Sequence, residues 1–106
     1  MASGSCFVAE QVGGPITAYG VMRDTFFHQS FIETIYVCPD FRRCGLGAAL
    51  LRHMEKGCAT PKLFTSTNRS NTAMRALLAR ENFRESGLID NLDEGDPEVV
   101  YFKKLP

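Results

Sequence analysis

At Pro39 the hydrophobic rhythm of the chain changes. Residues from Phe31 to Val37 favour an extended conformation and read as the strongest strand in the sequence. Beyond Arg42-Arg43-Cys44-Gly45-Leu46-Gly47 the spacing is helical, with Leu46, Leu50 and Met54 on one stripe and Ala49 and Leu51 beside it. Gly57 and Pro61 stop that helix. A strand that feeds a helix through two glycines places the chain among α/β (α+β) folds, because each period needs its own buried face.

The flanking segments complete the pattern. Phe7 to Glu10 and Ile16 to Met22 read as a hairpin across Gly13-Gly14-Pro15, with Phe26 and Phe27 prolonging the second strand and His28-Gln29-Ser30 as a polar break. Leu63 to Thr67 suits a central strand with one polar face. Ser70 or Asn71 can cap a second helix whose apolar positions are Ala73, Met74, Leu77 and Leu78, and Asn82 marks its left-handed end. Phe83 to Ile89 and Glu98 to Phe102 are two further strands joined by the turn-rich segment Asp93-Glu94-Gly95-Asp96-Pro97. The order is βββαβαββ, read as one domain over residues 1–106.

Composition excludes several classes. At 106 residues, 44% hydrophobic and 23% charged, the chain fits one globular core rather than disorder. The longest aliphatic run, Ala48-Ala49-Leu50-Leu51, is far short of the roughly 20 residues a membrane span needs, and no signal peptide is visible, so a cytoplasmic protein is expected. Cys6, Cys38, Cys44 and Cys58 form no C-x-x-C pair and have no histidine at ligand spacing, which argues for free thiols and against a metal site. Twelve basic residues balance twelve acidic ones overall, yet residues 40–85 carry nine bases against four acids, and residues 90–98 carry five acids and no base. Arg52, Arg75, Arg80 and Arg84 are irregularly spaced and lack an aromatic stacking platform, so they read as a solvated face rather than a nucleic-acid surface.

The chemistry concentrates at the strand-to-helix junction. Glycines let backbone N–H groups turn inward, and the first turn of a helix adds partial positive charge, which together make a phosphate cradle. A Walker loop is excluded because Gly-Lys-Ser/Thr is absent. A dinucleotide fingerprint is excluded because Leu50 stands where a third small residue belongs, and Leu63 to Thr67 where an acid belongs. What fits is R-x-x-G-x-G, formed by Arg42, Gly45 and Gly47 after a strand ending Val-x-Pro. This resembles the acetyl-CoA pyrophosphate loop of the GNAT superfamily of N-acyltransferases. Thr65 to Asn71, then Met74, Leu77, Leu78 and Phe83, is similar to that family's next strand and helix, with Asn82 in place of a glycine. The Asn91-Leu92-Asp93-Glu94-Gly95-Asp96-Pro97-Glu98 tail is similar to a bacterial branch of it.

The resemblance implies a mixed, mostly antiparallel sheet with a V-shaped split between Phe31 to Val37 and Leu63 to Thr67, where acetyl-CoA would lie. It implies transfer of an acetyl group to a primary amine by direct attack in a ternary complex. The co-substrate would be held by Ile35, Tyr36 and Val37 on the strand, by Arg42, Arg43, Cys44, Gly45, Leu46, Gly47 and Ala48 at the junction, and by Asn71. The family usually begins with a strand and a helix pair that this sequence lacks. The acceptor pocket would then be incomplete or shared, which suggests a homodimer or a partner subunit. Leu78 stands where many relatives have a tyrosine general acid, and Ser66 where some have a glutamate. Those departures favour a rival reading, a catalytically weak or inactive acyl-CoA-binding module.

An amine with a pKa near 10 is about 0.1% neutral at pH 7, so its attack on a thioester needs a proton acceptor. Glu33 is the candidate, since alternation with Ile35 and Val37 puts it on their face and opposite Tyr36. His28, His53 and Cys44 have no recognisable catalytic partner.

Overall fold

The structure is a computed structural model that describes residues 4–10, 16–42 and 45–106. The Gly13-Gly14-Pro15 turn, Arg43 and Cys44 lie outside the described residues, as does the side chain of Cys6. The elements are β1 (Gly4–Glu10), β2 (Ile16–Phe26), β3 (Gln29–Val37), α1 (Leu46–Lys56), β4 (Lys62–Asn68), α2 (Thr72–Arg80), β5 (Arg84–Ile89) and β6 (Glu98–Lys104), with a short 3-10 turn at Pro39–Phe41. They form one six-stranded sheet in the order β1-β2-β3-β4-β6-β5. Among the described residues only β3 and β4 run parallel. The order βββαβαββ and the mixed, mostly antiparallel sheet therefore stand as read from the sequence.

Two local features depart from expectation. Phe26 pairs with Gln29, so the β2–β3 turn is the two residues Phe27 and His28, and Gln29 and Ser30 belong to the strand. Both turn residues are left-handed, with φ of 50° and 65°, as a two-residue hairpin requires. In β4 the polar residues do not share one face. Leu63, Thr65 and Thr67 are buried, while Phe64, Ser66 and Asn68 alternate with them.

Both helices pack on one side of the sheet. Leu50, Leu51 and Met54 of α1 and Leu78 of α2 join Ile32, Leu63 and Val99 in one core. Helix α1 approaches β2 closely at Gly20, where an added Cβ would lie 2.6 Å from Met54 Sδ. Helix α2 opens with Asn71, whose Oδ1 accepts the Met74 N–H at 3.1 Å. It closes with Asn82 at φ 70°, while Phe83 N–H reaches Leu78 O at 2.9 Å and Asn82 N–H reaches Ala79 O at 3.1 Å. That is the Schellman pattern, with Phe83 and Leu78 both buried beneath it.

The other side of the sheet carries no described helix. It presents a chain of rings, Phe26 to Phe31 at 4.7 Å, Phe26 to Phe64 at 5.2 Å and Phe64 to Phe102 at 6.0 Å between centroids.

The sheet splits where expected. Strands β3 and β4 share three residue pairs, Ser30 with Leu63, Phe31 with Phe64 and Ile32 with Thr65. Beyond them β3 runs on to Val37 and β4 to Asn68 with no pairing between the two. The Thr65 hydroxyl donates to the Ile32 carbonyl at 3.0 Å and closes the apex of this fork.

Candidate active site

A cavity of about 630 Å³ lies between the free arm of β3, the start of α1 and helix α2. From β3 it takes Ile35, Tyr36 and Val37; from the junction Arg42, Gly45, Gly47 and Ala48; and from α2 the capping residue Asn71. These are expected residues, gathered from segments up to 36 positions apart only by folding. Among the described residues Leu46 is the exception, packing against the core without lining the cavity, while Arg43 and Cys44 lie outside the described residues. Phe41, Met74, Leu77 and Arg80 also border it and were not assigned to the site from the sequence.

The start of α1 is built to meet an anion. Gly45 precedes the helix in the left-handed conformation, φ 81°, which a glycine adopts without steric cost. The first helical bond runs from Ala49 N–H to Gly45 O at 3.0 Å, so the N–H groups of Leu46, Gly47 and Ala48 have no partner inside the helix. Among the described residues no side chain caps them, and the first turn holds no acid. Gly47 sits where α1 meets α2, since an added Cβ would lie 3.3 Å from Leu77 Cδ2. Arg42 is fixed at the cavity wall, its Nε donating to the Val37 carbonyl at 2.9 Å and its guanidinium 5.6 Å from the Tyr36 ring centre.

Glu33 is not part of this cavity. Val21 pairs with Thr34 and Met22 with Ile32, which leaves Glu33 unpaired in a β-bulge. The extra residue breaks the alternation, so Ile32 and Ile35 both meet the core and Glu33 does not share the face of Ile35 and Val37. Its carboxylate instead meets Arg23 Nε at 2.6 Å on the bare face of the sheet. Tyr36, expected opposite Glu33, is on that same face, its ring 5.6 Å from Tyr19. Glu33 nevertheless stands one residue past the apex of the fork.

Ser66 occupies the corresponding place on β4, one residue past Thr65. Its hydroxyl donates to Glu98 Oε2 at 2.6 Å. The acidic segment behind Glu98 is tied down. Asp93 accepts from Asn68 Nδ2 at 2.8 Å, and Asp96 accepts from the Ser70 N–H at 3.1 Å and hydroxyl at 2.6 Å. Leu78 is 1% exposed and belongs to the core.

Three of the four arginines read as a solvated face have partners on that surface. Arg52 grips Glu81 with two bonds of 2.8 and 2.9 Å, and holds its carboxyl below the ordinary glutamate range mainly through that hydrogen bonding. Arg75 donates to the Tyr101 hydroxyl at 3.0 Å and the Arg69 carbonyl at 3.1 Å, and Arg84 lies 5.9 Å from the Phe102 ring centre. Cys38 and Cys58 are free thiols. No helix among the described residues is long and apolar enough to cross a membrane.

Comparison with known proteins follows the same lines. Residues 2–85 match the acetyltransferase (GNAT) domain family. A GNAT-family acetyltransferase from Bacillus cereus superposes with a TM-score of 0.87 at 35% identity, covering 93% of this chain and 69% of its own. An IAA acetyltransferase from Bacillus cereus gives 0.84 at 25% identity, over 97% of this chain and 79% of that one. A GNAT-family acetyltransferase from Elizabethkingia anophelis with acetyl-CoA bound gives 0.85 at 22%, over 97% and 77%. A search of curated proteins returns no match. The first of these likenesses extends beyond fold to sequence, and with the domain match over residues 2–85 it establishes that the chain belongs to the GNAT acetyltransferase family.

Proposed function

We propose that the protein transfers an acetyl group from acetyl-CoA to a primary amine by direct attack in a ternary complex. The observation that carries this reading is the row of N–H groups from Leu46 to Ala48 that have no partner inside the helix, at the wall of a cavity that borders the free arm of β3. A pyrophosphate accepts such hydrogen bonds and complements the positive end of α1, while Arg42 adds a cation at the same wall. Asn71, its Oδ1 engaged with Met74, keeps its Nδ2 as a donor. Acetyl-CoA, bound in the Elizabethkingia relative, supplies the activated thioester. The backbone of Val37 borders the cavity where an extended arm would lie, while the Cys38 N–H and carbonyl are engaged with the Thr17 carbonyl and the Phe41 N–H, both at 2.8 Å.

Glu33 takes the proton of the acceptor amine in this scheme, directly or through water. Its place beside the fork's apex supports the role, and its pairing with Arg23 orients the carboxylate. Gly47→Asp puts a negative charge into the cradle and should abolish acetyl-CoA binding by calorimetry. Glu33→Gln should leave that binding intact and lower turnover by about 100- to 10,000-fold. Unchanged affinity in Gly47→Asp would remove the cradle from the reading.

A second reading, a weak or inactive acyl-CoA-binding module working with a partner subunit, is favoured by the burial of Leu78 where many relatives carry a tyrosine. Release of free CoA with any member of a panel of primary amines decides against it.

A further inference from the structure

We infer that Glu98, held by Ser66 beside the fork, anchors the ammonium group of the acceptor and selects cationic amines. The assignment rests on the acetyl-transfer reading above. Two carboxylates approach the fork from the bare side of the sheet. Glu33 already has its charge matched by Arg23 at 2.6 Å. Glu98 is half-buried and its one recorded partner is the neutral Ser66 hydroxyl; among the described residues it forms no ion pair.

The strand register explains how it gets there. Glu98 pairs with Asn68, and its side chain reaches back along β4 to Ser66, the first residue beyond the last pair with β3. Asp93 and Asp96 instead hold Asn68 and Ser70 at the outer turn. An uncompensated carboxylate in a partly desolvated place is the group that gains most from an arriving cation. Ser66 fills one lone pair of Oε2 and leaves the rest of the carboxylate to the incoming ammonium.

The step balances as follows. The ammonium held at Glu98 gives one proton to Glu33 and becomes the neutral amine. Its nitrogen forms a bond to the thioester carbonyl carbon, the carbon–sulfur bond breaks, the second nitrogen proton passes to the leaving thiolate, and the proton on Glu33 returns to solvent. Glu98 keeps its charge throughout, so it acts on binding of the acceptor.

The test measures CoA release with 1,4-diaminobutane and a panel of alkyl amines, together with acetyl-CoA affinity by calorimetry. Glu98→Gln preserves size and the hydrogen bond to Ser66 while removing the charge. KM for the amine should rise about 10- to 100-fold, as expected for a lost charged hydrogen bond. The value of kcat should stay within about twofold, and acetyl-CoA affinity and Tm should not move. Wild-type KM should rise with salt and that of the variant should not. Glu98→Asp, which withdraws the charge by one methylene, should raise KM by a smaller factor and serves if the glutamine variant does not fold. An unchanged KM overturns the assignment, as does a loss confined to kcat. If wild type binds acetyl-CoA but releases no CoA with any amine, the acetyl-transfer reading fails and takes the assignment with it.

Discussion

Arg80 has two roles that its position in the sequence does not separate. On the last turn of α2 its charge complements the negative helix end, and its side chain also borders the cavity that opens on the start of α1. A phosphate group at α1 would come within its field. Arg80→Ala should therefore weaken acetyl-CoA binding by about 1.5- to 5-fold, the range of an exposed charge contact, and should flatten the salt dependence of that binding. Calorimetry at two ionic strengths checks this. Equal affinity in both proteins would confine Arg80 to helix capping. The residues legible in the sequence are those whose chemistry is local: Gly45 with its positive φ, Asn71 as a cap, Asn82 as a left-handed stop. Arg80 was not, because irregular spacing hides which face it joins. Nor was the bond from Ser66 to Glu98, made across 32 residues by strands β4 and β6.

At the scale of the elements, the joint between α1 and α2 carries a pH signature. Glu81 caps α2 at its negative end, an unfavourable place for a carboxylate, and Arg52 of α1 offsets this with a bidentate pair. Since Glu81 is held below its ordinary value of 4.5, the folded state binds that proton more weakly than the unfolded chain. Its contribution is therefore fully present above about pH 4.5 and is lost as pH falls through the depressed value. Thermal melts should show Tm falling on acidification below that point. Glu81→Gln should lower Tm at neutral pH and make the acid decline shallower; an identical decline in both proteins would exclude the pair as its cause. Element order and helix limits were readable because caps and periodicity are sequential properties. The face of Glu33 was not, because a bulge exists only in the register between β2 and β3. The Phe27-His28 turn escaped for a related reason: phenylalanine is not a usual choice for a left-handed turn, and the pairing of Phe26 with Gln29 imposes it.

At the scale of the whole molecule, the two sides of the sheet differ. One is covered by both helices, and the other shows its chain of phenylalanine rings along with Tyr19, Tyr36 and Phe27, the last 82% exposed. A face of this kind is more stable covered, and a second copy of the chain is the proposed cover. Light scattering across micromolar concentrations should report a dimer, shifted toward monomer by Phe27→Asp. That variant should fold, because aspartate tolerates the left-handed turn better than phenylalanine does. A strictly monomeric wild-type protein would sink the proposal.

The three-pair contact between β3 and β4 has a consequence for how the chain reaches this shape. Ladders β1-β2-β3 and β4-β6-β5 are each antiparallel; the pairing of β4 with β6 spans 30 to 42 residues but gains seven residue pairs, whereas the seam brings Ser30 to Leu63 across 33 residues for three. Closing that loop costs chain entropy for very few backbone bonds, so the seam gives little reward on its own. What draws the ladders together is the side-chain core behind it, where Leu51 and Met54 of α1 pack with Ile32 and Leu63. The fork can therefore stand open in the finished protein, because its closure was never what held the two ladders in place.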